Sequence, residues 1–151
     1  MKRRVMGIDY GTARIGVALS DELQMLAHPA ETIQVAKTQN PAARIAAIVQ
    51  EKNVERIVVG LPRHMNGSEG VSAEAARAFA EKLKTLVACD VRTWDERLST
   101  VAAQRALQSA GKKTRQTRGI IDQVAAQMLL QSYLDSLPEN QSGGFGALDF
   151  A

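Results

Sequence analysis

Four acidic residues lie at positions of this sequence where a buried environment is expected. Asp9 directly follows the apolar run VMGI, and Asp95 and Glu96 follow the run VRTW. Asp122 lies near the start of the last segment with helical apolar spacing. A buried carboxylate is costly unless it is paired, hydrogen-bonded or bound to a metal ion. Each acid therefore needs a structural or a chemical reason for its position.

Each acid also has a purely structural interpretation. Asp9 could open the turn YGTA, because Asp and Gly are common turn residues. One of Asp95 and Glu96 could cap the helix that follows or pair with Arg97. Adjacent side chains of an extended segment point to opposite sides, so only one of these two acids is expected to face a site. Asp122 could simply complement the dipole of its helix.

The hydrophobic pattern predicts the elements that would position these acids. Their order is β-β-β-α-β-α-β-α-α. The strands are expected at 5–9, 14–20, 30–35, 56–60 and 91–94, and the helices at 41–53, 71–87, 99–110 and 118–136. Asn40 and Pro41 are expected to open the first helix, and Ser68 or Ser72 to cap the second.

The connections between these elements predict the fold class. The first three strands follow each other closely and should pair antiparallel, as a meander. The continuous apolar run RIVVG is typical of a strand buried on both faces. We expect an α/β fold with a mixed five-stranded sheet, the meander plus two parallel strands, and helices on both faces. One domain is expected over residues 1–137, followed by a flexible tail at 138–151.

The composition limits the kinds of chemistry and the partners that can be expected of the protein. A chain of 151 residues, 45% of them hydrophobic, can bury a real core. Its single cysteine, Cys89, excludes an internal disulfide, and His28 and His64 form no ligand pair. The net charge of +3 permits a nucleic-acid partner without requiring one. No run approaches membrane-spanning length and no signal peptide is recognisable, so a cytoplasmic protein is expected.

The order of the strands suggests that the acids meet. Sites of α/β sheets form at the carboxyl ends of parallel strands, where Asp9 and the pair Asp95-Glu96 are expected. Asp122 joins them if the last helix packs at the same place. Crowded carboxylates repel unless cations neutralise them, and Mg²⁺ or Mn²⁺ accepts such oxygen ligands. Two ions about 3.5–4 Å apart suit attack of water on a phosphodiester and need no His or Cys nucleophile.

A basic stretch lies between the two later acidic motifs. Its members are Arg92, Arg97, Arg105, Lys112, Lys113, Arg115 and Arg118. Such a run is commonly a solvated face, but here it would flank the proposed site and could hold a phosphate backbone. Few aromatic residues are interleaved with it, so base stacking is not supported.

Four motifs carry a resemblance to a known family. The stretches GIDYGTARIGVALSD, VVGLPRHMNGSEG, WDERLSTVAAQRAL and IDQVAAQMLLQSYLD closely resemble the YqgF family, also called RuvX, over residues 3–137. The resemblance implies a ribonuclease-H-like fold, similar to that of the Holliday-junction resolvase RuvC. It also implies a cytoplasmic nuclease that needs Mg²⁺ or Mn²⁺ and that matures the 5′ end of the pre-16S ribosomal RNA. The alternative activity that the family implies is resolution of four-way DNA junctions.

The resemblance also implies roles for particular residues. The acidic positions of the family fall on Asp9, Glu96 and Asp122, as catalytic residues and metal ligands. Asp95, Gly11 and Thr12 are expected beside these ligands. Residues expected to contact nucleic acid are Arg14, Arg97, Lys112, Lys113, Arg115 and Arg118. The loop PRHMNGSEG departs from the common PLNMDGSEG, which affects substrate contacts rather than the metal site.

Two other classes of protein compete with the nuclease. The segment DYGTARIGVAL also resembles the first phosphate motif of actin-like ATPases and sugar kinases, but those enzymes need two such lobes and this chain has one. A non-catalytic RNA-binding factor for ribosome assembly is the other. We expect structured RNA as the partner, branched DNA second, and no membrane. A monomer or weak dimer is expected because no exposed apolar interface is evident.

Overall fold

The protein forms one mixed five-stranded sheet. The computed structural model describes residues 3–62, 70–96 and 115–141, with the backbone alone for 115–120. The strands are β1 (Arg4–Asp9), β2 (Arg14–Ser20), β3 (Ala27–Gln34), β4 (Val54–Leu61) and β5 (Asp90–Asp95). Their order in the sheet is β3-β2-β1-β4-β5. β2 pairs antiparallel with both β1 and β3, and β4 runs parallel to both β1 and β5. The predicted meander and parallel pair are confirmed.

β3 begins earlier than its sequence pattern predicts. It starts at Ala27 rather than at residue 30 and includes Pro29. Proline cannot donate a hydrogen bond to a ladder, so it is tolerated mainly on edge strands, and β3 is an edge strand. The register with β2 also shifts next to Ala18, the partner of Pro29. Pro29 interrupted the sequence pattern from which the strand was predicted, and the structure accommodates it at the edge of the sheet.

In the described part of the chain, three α-helices pack on this sheet: α1 (Pro41–Lys52), α2 (Val71–Lys84) and α3 (Arg115–Ser136). α1 begins as predicted, because the Asn40 side chain accepts a hydrogen bond from the Ala43 amide at 3.1 Å. It ends at Asn53, whose φ of 55° lies in the left-handed region. None of the described helices is long and apolar enough to cross a membrane.

Ser72 is not the cap of α2, so this part of the prediction is wrong. The helix begins after Gly70, which makes no side-chain cap, and Ser72 lies inside the first turn. Ser68 falls outside the described residues, and so do the helix expected at 99–110 and most of the tail expected at 138–151. Those expectations stay predictions.

The alternation of side chains along the strands divides the core into two layers. In β1, Met6 and Ile8 pack under α1 and α2, whereas Val5 packs under α3. β4 is buried on both faces, as its apolar run predicts: Val58 belongs to the α3 side and its neighbour Val59 to the other. Helices therefore cover both faces of the sheet.

Glycines let α3 lie directly on the sheet. A Cβ atom at Gly7 of β1 would lie 2.7 Å from Cβ of Leu130 and 3.0 Å from the carbonyl oxygen of Ala126. A Cβ atom at Gly16 of β2 would overlap the backbone carbonyl of Asp122 and lie 3.2 Å from its Cβ. Real Cβ atoms do not approach other atoms so closely. The absence of side chains at these two positions therefore sets the height of α3 above the sheet.

An ion pair joins α1 to the edge strand β3. Arg44 donates from Nε to Oε2 of Glu31 at 2.9 Å and from Nη2 to Oε1 at 2.7 Å. This two-point contact lowers the pKa of Glu31, chiefly through the hydrogen bonds and then through the charge of Arg44.

The close approach of α3 predicts the cost of adding one methyl group. Gly7→Ala and Gly16→Ala should each lower the free energy of unfolding by about 2 kcal/mol or more, because the obstructing atoms are backbone or Cβ atoms. Gly60→Ala of β4 should cost less, because its nearest neighbour is the terminal side-chain atom Cδ2 of Leu129, at 2.8 Å. Urea denaturation of the three variants measures the order. Equal costs at all three positions would contradict this account of α3.

Candidate active site

A buried carboxylate lies at the carboxyl end of β1. Asp9 is the last residue of the strand, and its exposed fraction is 4%. Val5, Gly7 and Asp9 occupy alternate positions, so all three point to the face that α3 covers. The acid that interrupts an apolar segment of the sequence therefore lies under the last helix.

Two glycines flank Asp9, and a further acid lies against each. Asp9 pairs with Gly16 of β2, over which the backbone of Asp122 passes. On the other side, the register of β1 with β4 places Gly60 next to Asp9. A Cβ atom at Gly60 would lie 3.1 Å from Oε1 of Glu96. Residues from β1, from the end of β5 and from α3 thus approach one another where the sheet carries no side chains.

The pair Asp95-Glu96 divides between the two faces of the sheet. Asp95 pairs with Leu61, whose side chain belongs to the core under α1 and α2. Trp94, on the α3 face, packs edge-on against Tyr133 with ring centroids 5.4 Å apart. Glu96 lies on that same face and is 5% exposed. The alternation expected from the sequence therefore distinguishes the two acids, and Glu96 is the one on the same face as Asp9.

The environment of Glu96 disfavours its charge. Burial, and to a lesser extent the charge of Asp95, raise the pKa of Glu96 to about 7. In the absence of a cation, the carboxyl group is therefore protonated in a large fraction of molecules at neutral pH. A cation at this position would favour the ionised form.

Asp122 is paired with an arginine of β2. Nε of Arg14 donates a hydrogen bond to Oδ2 of Asp122 at 2.7 Å. The Arg14 side chain is 26% exposed and that of Asp122 is 19% exposed. Arg14 lies two residues before Gly16 in the strand, so it points to the same face, towards α3. The sequence predicted a nucleic-acid contact for Arg14 but not this ion pair.

A cavity of about 310 Å³ opens at this place. Its lining consists of Asp9, Tyr10, Gly11, Thr12, Ala13, Arg14, Ile121 and Asp122. A Cβ atom at Gly11 would lie 2.6 Å from the carbonyl oxygen of Arg14, so the turn between β1 and β2 needs glycine there. A larger groove, of about 560 Å³, lies between α1 and the segment before β5 and contains none of the four acids discussed above.

The donor atoms of the site suit a hard cation, but their present arrangement does not enclose one. Carboxylate oxygens are the ligands that Mg²⁺ and Mn²⁺ prefer. The missing side chain at Gly60 lets Glu96 and Leu129 lie directly against the strand. Within residues 3–62, 70–96 and 115–141, however, no three Asp, Glu, His or Cys side chains converge closely enough to hold a metal ion. Asp122 faces Arg14 instead.

Most of the predicted nucleic-acid contacts cannot be placed. Arg97, Lys112 and Lys113 lie outside the described residues. Arg115 and Arg118 belong to the first turn of α3, where the backbone alone is described. Of the predicted site residues, the structure gives side-chain positions for Asp9, Thr12, Arg14, Asp95, Glu96 and Asp122.

The sequence analysis missed the role of Gly16 and Gly60. The signal was a glycine inside an apolar strand, which commonly marks the close approach of another backbone or a ligand. The apolar residues around each glycine already predicted a strand in the runs RIGVALS and RIVVG, so the glycines received no separate interpretation.

Comparison with known proteins gives matches over most of the chain. The family model described as "RuvX: Holliday junction resolvase" matches residues 3–136. A protein of Moorella thermoacetica named "Putative pre-16S rRNA nuclease" is 51% identical over 140 residues, covering 91% of this chain and 98% of the relative. A protein of Bacillus cereus (strain G9842) with the same name is 45% identical over 135 residues, covering 88% and 98%.

Two solved structures share the fold. Thermus thermophilus RuvC, in complex with a Holliday junction substrate, has a TM-score of 0.50 and 15% identity, covering 89% of this chain and 94% of that one. The fowlpox virus Holliday junction resolvase has a TM-score of 0.51 and 15% identity, covering 89% and 99%. These matches confirm the ribonuclease-H-like fold that the sequence motifs implied.

The raised pKa of Glu96 predicts an unusual pH dependence of stability. A carboxyl group that is harder to ionise in the folded state stabilises the fold below its unfolded pKa, near 4.5. That stabilisation is lost as the pH rises through about 7. In EDTA, Glu96→Gln should therefore match the wild type near pH 4 and exceed its free energy of unfolding by about 1–3 kcal/mol at pH 8.

A second glutamate supplies the control. Because Arg44 lowers the pKa of Glu31, this pair stabilises the fold above the unfolded pKa, and the stabilisation is lost on acidification. Glu31→Gln should be the less stable protein at neutral pH, by no more than about 1 kcal/mol at this half-exposed pair. Urea denaturation across pH 4–8 measures both. Parallel pH profiles of Glu96→Gln and wild type would contradict the assignment for Glu96.

Proposed function

This chain belongs to the RuvX family, and from that premise we propose that it is a divalent-metal-dependent nuclease that matures the 5′ end of the pre-16S ribosomal RNA. Relatives covering about nine-tenths of the chain carry the corresponding name. The observation that carries the proposal is the placement of Asp9 between two glycines, with Glu96 and Asp122 against them. An rRNA precursor as substrate would place the protein in the cytoplasm.

The three acids would hold the metal. Their carboxylate oxygens suit Mg²⁺ or Mn²⁺, and two ions are expected. Bound ions would activate a water molecule for attack on phosphorus and neutralise the leaving oxygen. Asp9, buried at the end of β1, would be the central ligand. Because the pKa of Glu96 is raised to about 7, a bound cation would displace the proton that a fraction of the molecules carries at neutral pH.

The turn between β1 and β2 would receive the phosphodiester. It lines the cavity beside Asp9, and the exposed Thr12 offers a hydroxyl there. Arg14, Arg97 and the basic stretch around Lys112 would add positive charge for the phosphate backbone. Such contacts release counterions, so binding should weaken as salt rises.

Holliday junction resolution is the second candidate. It is supported by the description of the matching family model. Symmetric cleavage of a four-way junction calls for two active sites, hence a dimer, whereas RNA cleavage can be done by a monomer. A non-catalytic RNA-binding role would be the outcome if neither substrate were cleaved.

Loss of single carboxylates should separate the metal site from its surroundings. Asp9→Asn, Glu96→Gln and Asp122→Asn should each lower the cleavage rate about a hundredfold or more, because each removes a charged ligand. The matched control is Asp95→Asn, one residue from Glu96 but on the other face of the sheet, which should keep the rate within about tenfold of wild type. Single-turnover cleavage of a labelled RNA precursor measures all four.

The control decides how a loss is interpreted. Circular dichroism must show that each variant is folded. Wild-type rates from folded Asp9→Asn would refute the assignment of Asp9. Equal losses from Asp95→Asn and Glu96→Gln would mean that the face of the sheet does not separate the two acids.

Two substrates in parallel should identify the nucleic acid. A short precursor of the 16S rRNA and a four-way DNA junction are incubated with Mg²⁺, with Mn²⁺ and with EDTA, using wild type and Asp9→Asn. We expect metal-dependent cleavage of the RNA that is absent from the variant. Symmetric nicks in the junction, together with a dimer by light scattering, would move the assignment to the resolvase. No cleavage of either substrate would favour the non-catalytic factor.

A further inference from the structure

We propose that Arg14 is an exchangeable counter-ion of Asp122, which competes with a divalent cation for this carboxylate. The inference rests on the proposed function, since it concerns the same site. It extends that function by giving Arg14 two alternating partners, Asp122 when the metal is absent and a substrate phosphate when the metal is bound. Arg14 is then a positioning residue that controls access of metal to the site.

The contact between Arg14 and Asp122 has fewer hydrogen bonds than a two-point ion pair. It uses one hydrogen bond, from Nε of Arg14 to Oδ2 of Asp122 at 2.7 Å. Among the described residues, the terminal nitrogens Nη1 and Nη2 of Arg14 have no hydrogen-bond partner. The pair of Arg44 and Glu31 on the other face has two such bonds. Within the described part of the chain, Arg14 thus neutralises Asp122 through Nε alone.

The charged side chains of the site that keep some exposure are those of the ion pair. Asp9 and Glu96 are 4% and 5% exposed and are fixed at strand ends. The side chains of Arg14 and Asp122 are 26% and 19% exposed, so either can change rotamer without opening the core. The backbone of Asp122 cannot shift towards the sheet because it already lies on Gly16. Rotation of these two side chains is therefore the available route from the present arrangement to one that encloses a cation.

Like charges make the two partners of Asp122 compete. A divalent ion bound by Asp9 and Asp122 would lie close to a guanidinium that still contacted Asp122, and the two would repel. The apparent metal affinity is then the intrinsic affinity reduced by the fraction of molecules in which Asp122 is free.

The test is whether replacing Arg14 raises or lowers the affinity for Mn²⁺ in the absence of substrate. Mn²⁺ binding to wild type, Arg14→Gln, Arg14→Lys and Arg44→Gln is measured by calorimetry and by the electron paramagnetic resonance of free Mn²⁺. Arg14→Gln should bind Mn²⁺ about fivefold tighter or more, because the competing charge is gone. Arg14→Lys should fall between it and the wild type. Arg44→Gln, which breaks the comparable pair on the other face, should leave the affinity unchanged.

A second readout needs no metal. In EDTA, Arg14→Gln should lower the melting temperature, and that loss should disappear in an Asp122→Asn background, since the pair is then already broken. Additive losses would show that the two side chains do not interact in solution and would overturn the proposal.

The outcomes separate this inference from the proposed function. If wild type binds Mn²⁺ and Arg14→Gln binds it equally or more weakly, the exchange proposed for Arg14 is overturned, but the proposed nuclease is not. Arg14 would then support the loaded site or have no effect on it. Absence of Mn²⁺ binding in every variant overturns the metal-dependent nuclease and the exchange with it. If Arg14→Gln fails to fold, Arg14→Lys carries the same comparison, and its affinity must exceed that of wild type.

Discussion

The site depends on how closely α3 lies on the sheet. Gly7 and Gly16 remove the two side chains that would hold the helix away, and a methyl group at either would meet atoms of the helix that cannot rotate aside. Leu129 and Leu130, both fully buried, then pack between helix and strands. Protein interiors are close-packed, so the height of the helix is transmitted to every residue it carries. Asp122 reaches the neighbourhood of Asp9 because the strand beneath it has no side chain.

Burial of these carboxyl groups has an electrostatic cost, and the protein offsets it differently at Glu96 and at Asp122. Glu96 keeps a proton well above its usual pKa, and Asp122 is neutralised by Arg14. Neither solution uses the ionised, unpaired carboxylates that a metal needs. Protonation and pairing make the burial of these acids tolerable, and the cation proposed above would replace the proton on one acid and the arginine on the other.

Local patterns predicted most of the fold, because adjacent strands and continuous apolar runs leave a direct trace in the sequence. Where one residue contradicted the pattern, as Pro29 did in β3, the boundary was misplaced. Alternation also distinguished Glu96 from Asp95. The pair of Arg14 and Asp122 lay beyond such reasoning, since 108 residues separate them and their contact follows from the packing of α3 on Gly16. The domain limits, the helix at 99–110 and the basic contacts around Lys112 stay predictions.

Sharing one arginine between two anions would couple the binding of metal and substrate. In the metal-free state Arg14 is occupied by Asp122, so a phosphate that competes for its guanidinium must also break that contact. A cation that takes Asp122 makes Arg14 available, and a phosphate that takes Arg14 makes Asp122 available. Linkage is reciprocal for binding free energies, so each ligand would raise the affinity for the other by the same factor. The order of binding would then matter little. A site built in this way would reach its active arrangement only when both the metal and the nucleic acid are present, which limits hydrolysis at any phosphate that meets the metal alone.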